Sequence, residues 1–183
     1  MEKFSPRLGD RGRYLRARSM IKMSVDDWCK ELLQNSKLVQ DDDDTVSPEV
    51  AELRFNRFVQ LVEMVNGKES QLVFQTLVDA IRMPQDYGAY ESVHNALWKF
   101  PPEQFAEYFV GALPKLIRRM SRHDQVARFL CPLNGHGRRN YLPEFVAALA
   151  SASPSDKKTI LNFIKKNSEE LGDVELYHGD SRK

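Results

Sequence analysis

Cysteine is scarce in this chain of 183 residues, with Cys29 and Cys131 the only two. Two thiols do not make the disulfide framework of a small secreted domain. Each sits among apolar neighbours (Trp28 and Leu32; Leu130 and Leu133), so both are expected to be reduced and buried, packing as small hydrophobes in a reducing cytoplasm. Long apolar runs are missing too: no stretch approaches the roughly 20 residues that a membrane-spanning helix needs. Residues 1–22 are basic but lack the continuous apolar core of a secretory signal. Histidine is sparse, and His94, His123, His136 and His178 stand in no HExxH pattern and near no second ligand at metal spacing. Phosphate-binding, nucleophile-elbow and dinucleotide fingerprints are likewise absent. Gly135-His136-Gly137-Arg138-Arg139 reads as a flexible interhelical loop rather than an anion cradle. No catalytic residue, metal or cofactor is expected, and the chain does not read as an enzyme.

What is present is a helical pattern with an uneven distribution of charge. The formal net charge is only +1, yet residues 1–22 hold seven basic residues (Lys3, Arg7, Arg11, Arg13, Arg16, Arg18 and Lys22) against Glu2 and Asp10. That surplus of +5 leaves −4 for residues 23–183. The leader reads as a disordered arm for a polyanion or as a start-site extension. The second reading is favoured, because Ser24 can cap a helix whose first turn holds Asp26 and Asp27, which makes Met23 a natural beginning. The expected organisation is therefore a leader over 1–22, one helical domain over 23–172 and a frayed tail over 173–183.

Within the domain, residues 24–39 predict a helix with Trp28 and Leu32 on one side. Asp41-Asp42-Asp43-Asp44 interrupts it, because four adjacent carboxylates repel one another. Ser47-Pro48-Glu49 restarts the chain as an N-cap with proline in the first turn. Ala51, Phe55, Phe58, Val59, Val62 and Val65 then recur at helical spacing up to Asn66-Gly67. A third helix spans about 69–82, with Val73, Leu77, Ala80 and Ile81 inward. The segment 86–120 reads as two helices hinged at Pro101-Pro102. Tyr90, Val93, Leu97 and Phe100 form the buried stripe of the first. Phe105, Tyr108, Phe109, Ala112, Leu113, Leu116, Ile117 and Met120 form that of the second, which Pro114 is expected to kink. Shorter helices follow over about 123–130, 141–152 and 156–171. Helix starts near Pro48, Asp86 and His123 are 38 and 37 residues apart, a weak repeat of helix pairs. The fold class expected is all-α: seven to eight helices in antiparallel pairs, stacked as a short HEAT-like α-solenoid.

Two features are candidates for a binding role. The first is the acidic tract Asp41, Asp42, Asp43 and Asp44, which lacks the glycine and terminal glutamate of a calcium loop. It could attract a basic protein or merely be a solvated linker. The second is a stripe on the helix over 86–100, where Tyr87, Glu91, His94 and Trp98 follow one another at intervals of four, three and four. Aromatic residues beside an acid are typical interface anchors. Large aromatics are more often buried under a neighbouring helix, so the exposure of Trp98 separates the two readings.

Residues 86–164 resemble bacterial immunity proteins of polymorphic and contact-dependent toxin systems, in particular the all-α, HEAT-like group known as immunity protein family 30. The resemblance lies in Leu97-Trp98-Lys99-Phe100, in Tyr108 with Leu113-Pro114-Lys115-Leu116, and in Val126-Ala127-Arg128-Phe129-Leu130 leading to Leu133-Asn134. It continues through Phe145 and Leu149 to Lys157-Lys158 with Ile160-Leu161. Cys131-Pro132 departs from the pattern, where a continuing helix is expected. The resemblance implies an antitoxin that occludes a cognate toxin domain, often a nuclease, in the cytoplasm of the producing cell. An acidic body would suit a basic nuclease. The partner expected is thus a protein, with no membrane and no nucleic acid, and with the oligomeric state open. The competing readings are a HEAT-like adaptor unrelated to toxins and, behind it, a nucleic-acid binder using the basic leader.

Overall fold

A computed structural model describes residues 23–38, 45–82, 88–119, 126 and 141–167. The expectations for the leader, the acidic tract 41–44, Tyr87, the 123–130 helix (Val126 aside), Cys131, the 132–137 loop and the 173–183 tail lie outside these residues. The described chain is all-α. Its seven helices are α1 (Val25–Asn35), α2 (Pro48–Glu63), α3 (Gln71–Ala80), α4 (Ala89–Leu97), α5 (Pro102–Arg119), α6 (Leu142–Ser151) and α7 (Pro154–Lys166).

Local chemistry sets the starts of these helices. The Ser24 hydroxyl accepts from the Asp27 amide at 3.1 Å, and the Ser153 hydroxyl accepts from the Asp156 amide at 3.1 Å. Each supplies one of the acceptors that a helix N-terminus lacks. Proline stands in the first turn of α2, α6 and α7, where its missing N–H costs nothing. The ends differ from expectation by a turn or less in most places: α1 stops at Asn35, α3 starts at Gln71, and α7 begins at Pro154 and ends at Lys166 rather than near 171. α5 runs through Pro114, which is buried.

Side-chain pairs fix how the helices run. Trp28 Nε1 donates to the Leu61 carbonyl at 3.0 Å, and Arg57 pairs with Glu31 at 2.6 Å, so α1 and α2 are antiparallel. Phe58 meets Tyr90, and Lys99 Nζ donates to the Val65 carbonyl, so α2 and α4 are parallel. Phe74 meets Phe100 while the Tyr90 hydroxyl accepts from the Arg82 amide, which makes α3 and α4 antiparallel. Phe74 also meets Phe105, and Asp79 binds Lys115 and Arg119, so α3 and α5 are parallel. Phe105 against Tyr141 and Phe109 against Phe145 align α6 with α5. Direct packing joins α1 to α3, α3 to α5 and α5 to α6 in one row, and α2 to α4 in a second; α7 packs on α5.

The core lies between the rows. The predicted stripes are in it: Tyr90, Val93, Leu97 and Phe100 are all buried, as are Phe105, Phe109, Ala112, Leu113 and Leu116. At its centre Phe74 makes edge-to-face contacts with Phe100, Phe105 and Tyr108 at centroid separations of 5.1, 5.6 and 5.7 Å. Each such pair contributes about 0.5–1.5 kcal/mol beyond area burial. Leu61, absent from the predicted stripe of α2, is fully buried, whereas Ala51, Phe55 and Val59 are only half-buried.

Candidate functional site: the outer face of α4 and its C-terminal end

α4 starts after Gly88, whose φ of 85° is a left-handed conformation that glycine adopts without cost. Burying Tyr90, Val93, Ala96 and Leu97 turns Glu91, His94 and Trp98 outward by helical geometry, since residues three and four apart share a face. Glu91 is exposed, His94 is half-buried, and Trp98 is 41% exposed. The His94 and Trp98 rings meet edge to face at 6.1 Å. The structure therefore brings three of the four stripe residues onto one outer face. Tyr87 and the four aspartates 41–44 lie outside the described residues.

Trp98 closes α4, and the turn it begins is tied down on both sides. Lys99 Nζ reaches the Val65 carbonyl at 2.7 Å. The Tyr141 hydroxyl lies 3.4 Å from the Trp98 carbonyl oxygen. The loop after α2 packs directly on this turn: Gly67 has a φ of +88°, and a Cβ there would overlap the carbonyl group of Lys99. The Glu69 carboxylate accepts from the Asn66 and Gly67 amides at 2.9 and 2.8 Å and holds that loop closed. Gly67 thus does more than end α2, whose last helical residue is Glu63; it lets two main chains touch.

The opposite end of the rows is held by charge. Arg119 donates to the carbonyls of Val78, Asp79 and Ile81 and to the Asp79 carboxylate, at 2.8, 3.2, 3.0 and 2.9 Å. It thereby adds donors to carbonyls at the last turn of α3, where the Val78 carbonyl has otherwise only a 3.3 Å bond from the Ile81 amide. Lys115 adds a 2.6 Å pair to the same carboxylate. Arg119, in the last turn of its own helix α5, thus caps the end of a different one.

Among the described residues no three His, Cys, Asp or Glu side chains gather to hold a metal ion, and no helix is long and apolar enough to cross a membrane. Cys29 is buried, with its sulfur accepting from the Thr76 hydroxyl at 3.3 Å. The arrangement defines an all-α chain whose outward features are an aromatic–acidic helix face and two chemically different ends. No family model, curated protein or solved structure matches the chain.

Proposed function

We propose that this chain is an immunity protein that neutralises a cognate bacterial toxin domain by stoichiometric binding in the cytoplasm of the producing cell. In this reading its helix pairs form a short HEAT-like α-solenoid. Support for the solenoid comes from α1 stacking on α3, α2 on α4 and α3 on α5, each running parallel to its counterpart. Such stacks present long surfaces built from successive helices and suit protein partners.

The observation that carries the binding role is the exposure of Trp98 at a turn held rigid by Lys99 and the 66–69 loop. A large aromatic fixed before binding loses little conformational freedom on docking, which is what an interface anchor needs. Glu91 on the same face supplies negative charge toward a basic partner. The toxin as partner rests on the resemblance of residues 86–164 to immunity proteins.

The test is co-expression with the toxin encoded by the adjacent reading frame. Wild-type chain should rescue growth, and the double variant Trp98→Ala, Glu91→Lys should rescue poorly while keeping its helical circular dichroism. Full rescue by the folded double variant moves the interface elsewhere. No rescue by the wild type, with no toxin gene adjacent, favours the adaptor reading.

A further inference from the structure

The helix directions place four exposed apolar side chains at one end of the rows. Trp28 against Leu61 sets the start of α1 beside the end of α2; Lys99 against Val65 adds the end of α4; Phe74 against Phe100 adds the start of α3. Val25 (49% exposed), Met64 (56%), Leu72 (49%) and Trp98 (41%) all belong to this end. They lie in or directly after four different helices, successive members being 39, 8 and 26 residues apart in the chain, so no single amphipathic pattern contains them. Exposed apolar groups scattered singly are ordinary, but a set gathered at one end of a fold is the mark of a docking surface.

Among the described residues, the charges at this end have one dominant sign. Asp26, Asp27, Glu63 and Glu103 are all exposed there. Asp26, Asp27 and Glu103 stand in the first turns of α1 and α5, where carboxylates complement the helix dipole. Of the nearby bases, Lys99 is engaged with the Val65 carbonyl and Lys68 is exposed. Exposed apolar side chains set among carboxylates do not suit an anionic lipid surface or the phosphates of a nucleic acid. They fit a protein segment with apolar anchors and flanking Lys or Arg.

We infer that the Val25–Met64–Leu72–Trp98 end is the docking surface for a cationic amphipathic segment of the partner protein. This rests on the reading of the chain as a protein-binding module and shifts the centre of that interface from the length of α4 to its C-terminal end. The occupant presents leucine-like side chains to Met64, Leu72 and Trp98, and basic side chains to Glu63 and Glu103. Val50 and Leu53, equally apolar and exposed, lie at the start of α2 near the other end and take no part.

The experiment uses the full chain and two designed 14-residue helical peptides, one of leucine and lysine and one with glutamate replacing every lysine. The chain has two tryptophans, and Trp28 is only 6% exposed, so a change in emission reports mainly on Trp98. The leucine–lysine peptide should shift the emission to the blue and saturate; the leucine–glutamate peptide should not. Met64→Ser with Leu72→Ser should weaken binding at least tenfold, and Val50→Ser with Leu53→Ser should leave it within twofold. The charge-only variant Glu63→Gln with Glu103→Gln, which removes no packing, should weaken binding several-fold. Equal affinity of the two serine variants, equal response to both peptides, or no shift overturns the inference. So does sedimentation showing a wild-type dimer that the Met64, Leu72 variant dissolves, since a second copy then covers this end. Toxin rescue is scored separately. Peptide binding without rescue removes only the toxin, and rescue unaffected by the Met64, Leu72 variant, with no peptide binding, removes only this surface.

Discussion

The two ends of the helix rows are held by different physics. At one, the 64–70 loop and the 98–101 turn touch main chain to main chain through Gly67, and the side chains left over point outward as Met64, Leu72 and Trp98. At the other, Arg119 and Lys115 converge on Asp79 and the last carbonyls of α3. The first arrangement joins main chain to main chain with help from the polar groups of Lys99, Glu69 and Tyr141, and leaves apolar side chains free for another task. The second consumes its charged side chains in holding α3 and α5 together. A surface is available for recognition where the backbone supplies the cohesion.

The contrast is sharpest between the two tryptophans of the apolar end. Trp28 is buried and hydrogen-bonded to Leu61, so Trp28→Ala should cost about 3–5 kcal/mol from lost burial and an unfilled cavity. Trp98→Ala should cost less, about 1–2 kcal/mol, because the residue is 41% exposed and only part of its ring is packed. Urea unfolding of the two variants measures both. A large loss for Trp98→Ala would make its ring a structural element and remove it from the interface.

Gly67→Ala comes next. It places a Cβ into the Lys99 carbonyl and forces an L-residue to a φ of +88°. The expected loss is about 2–4 kcal/mol from strain and displaced packing. Because the loop carries the geometry of the Trp98 turn, the emission of Trp98 should change as well. A variant of wild-type stability would mean that the two loops separate readily and that the rigid anchor is not rigid.

At the ionic end, Arg119→Met keeps much of the apolar stem and removes the donors. Three carbonyl bonds and a carboxylate contact are lost, but the guanidinium is partly exposed and water can replace it, so about 1–2 kcal/mol is expected. Arg119→Lys should recover less than half, because one ammonium does not span Val78, Asp79 and Ile81 as the planar fork does. Full recovery by lysine would reduce the interaction to charge alone.

Much of the fold was legible in the sequence because the apolar stripes of α4 and α5 are long and regular. Tyr90, Val93, Leu97 and Phe100 recur at helical spacing, and all four are buried. The serine cap at 24 was legible for the same local reason. What lay beyond reach depends on neighbours distant in the chain. The helical period places Glu91, His94 and Trp98 on one face but does not say whether another helix covers that face. The role of Arg119 is set 38 to 41 residues away, at the end of α3. The gathering of Val25, Met64, Leu72 and Trp98 arises only once four helices have been oriented. Gly67 looked like a helix terminator, and the close approach that requires it comes from Lys99, 32 positions on in the sequence.

The smallest effect separates the ends by acidity. Glu49, in the first turn of α2, has its pKa lowered from the usual glutamate value by a backbone hydrogen bond and then by the Ser47 side chain. A carboxyl depressed on folding stabilises the protein above its unfolded pKa, and that contribution disappears as pH falls through the folded value. The contribution is slight because the group is fully exposed. Glu49→Gln should therefore lower Tm marginally at pH 7, and the gap from wild type should close as the pH drops below the ordinary glutamate range. Trp98 emission should be unaffected throughout, since α2 begins at the end of the rows remote from that turn. A gap that widened on acidification would reverse the sign and assign the Glu49 carboxyl a destabilising role in its ionised form.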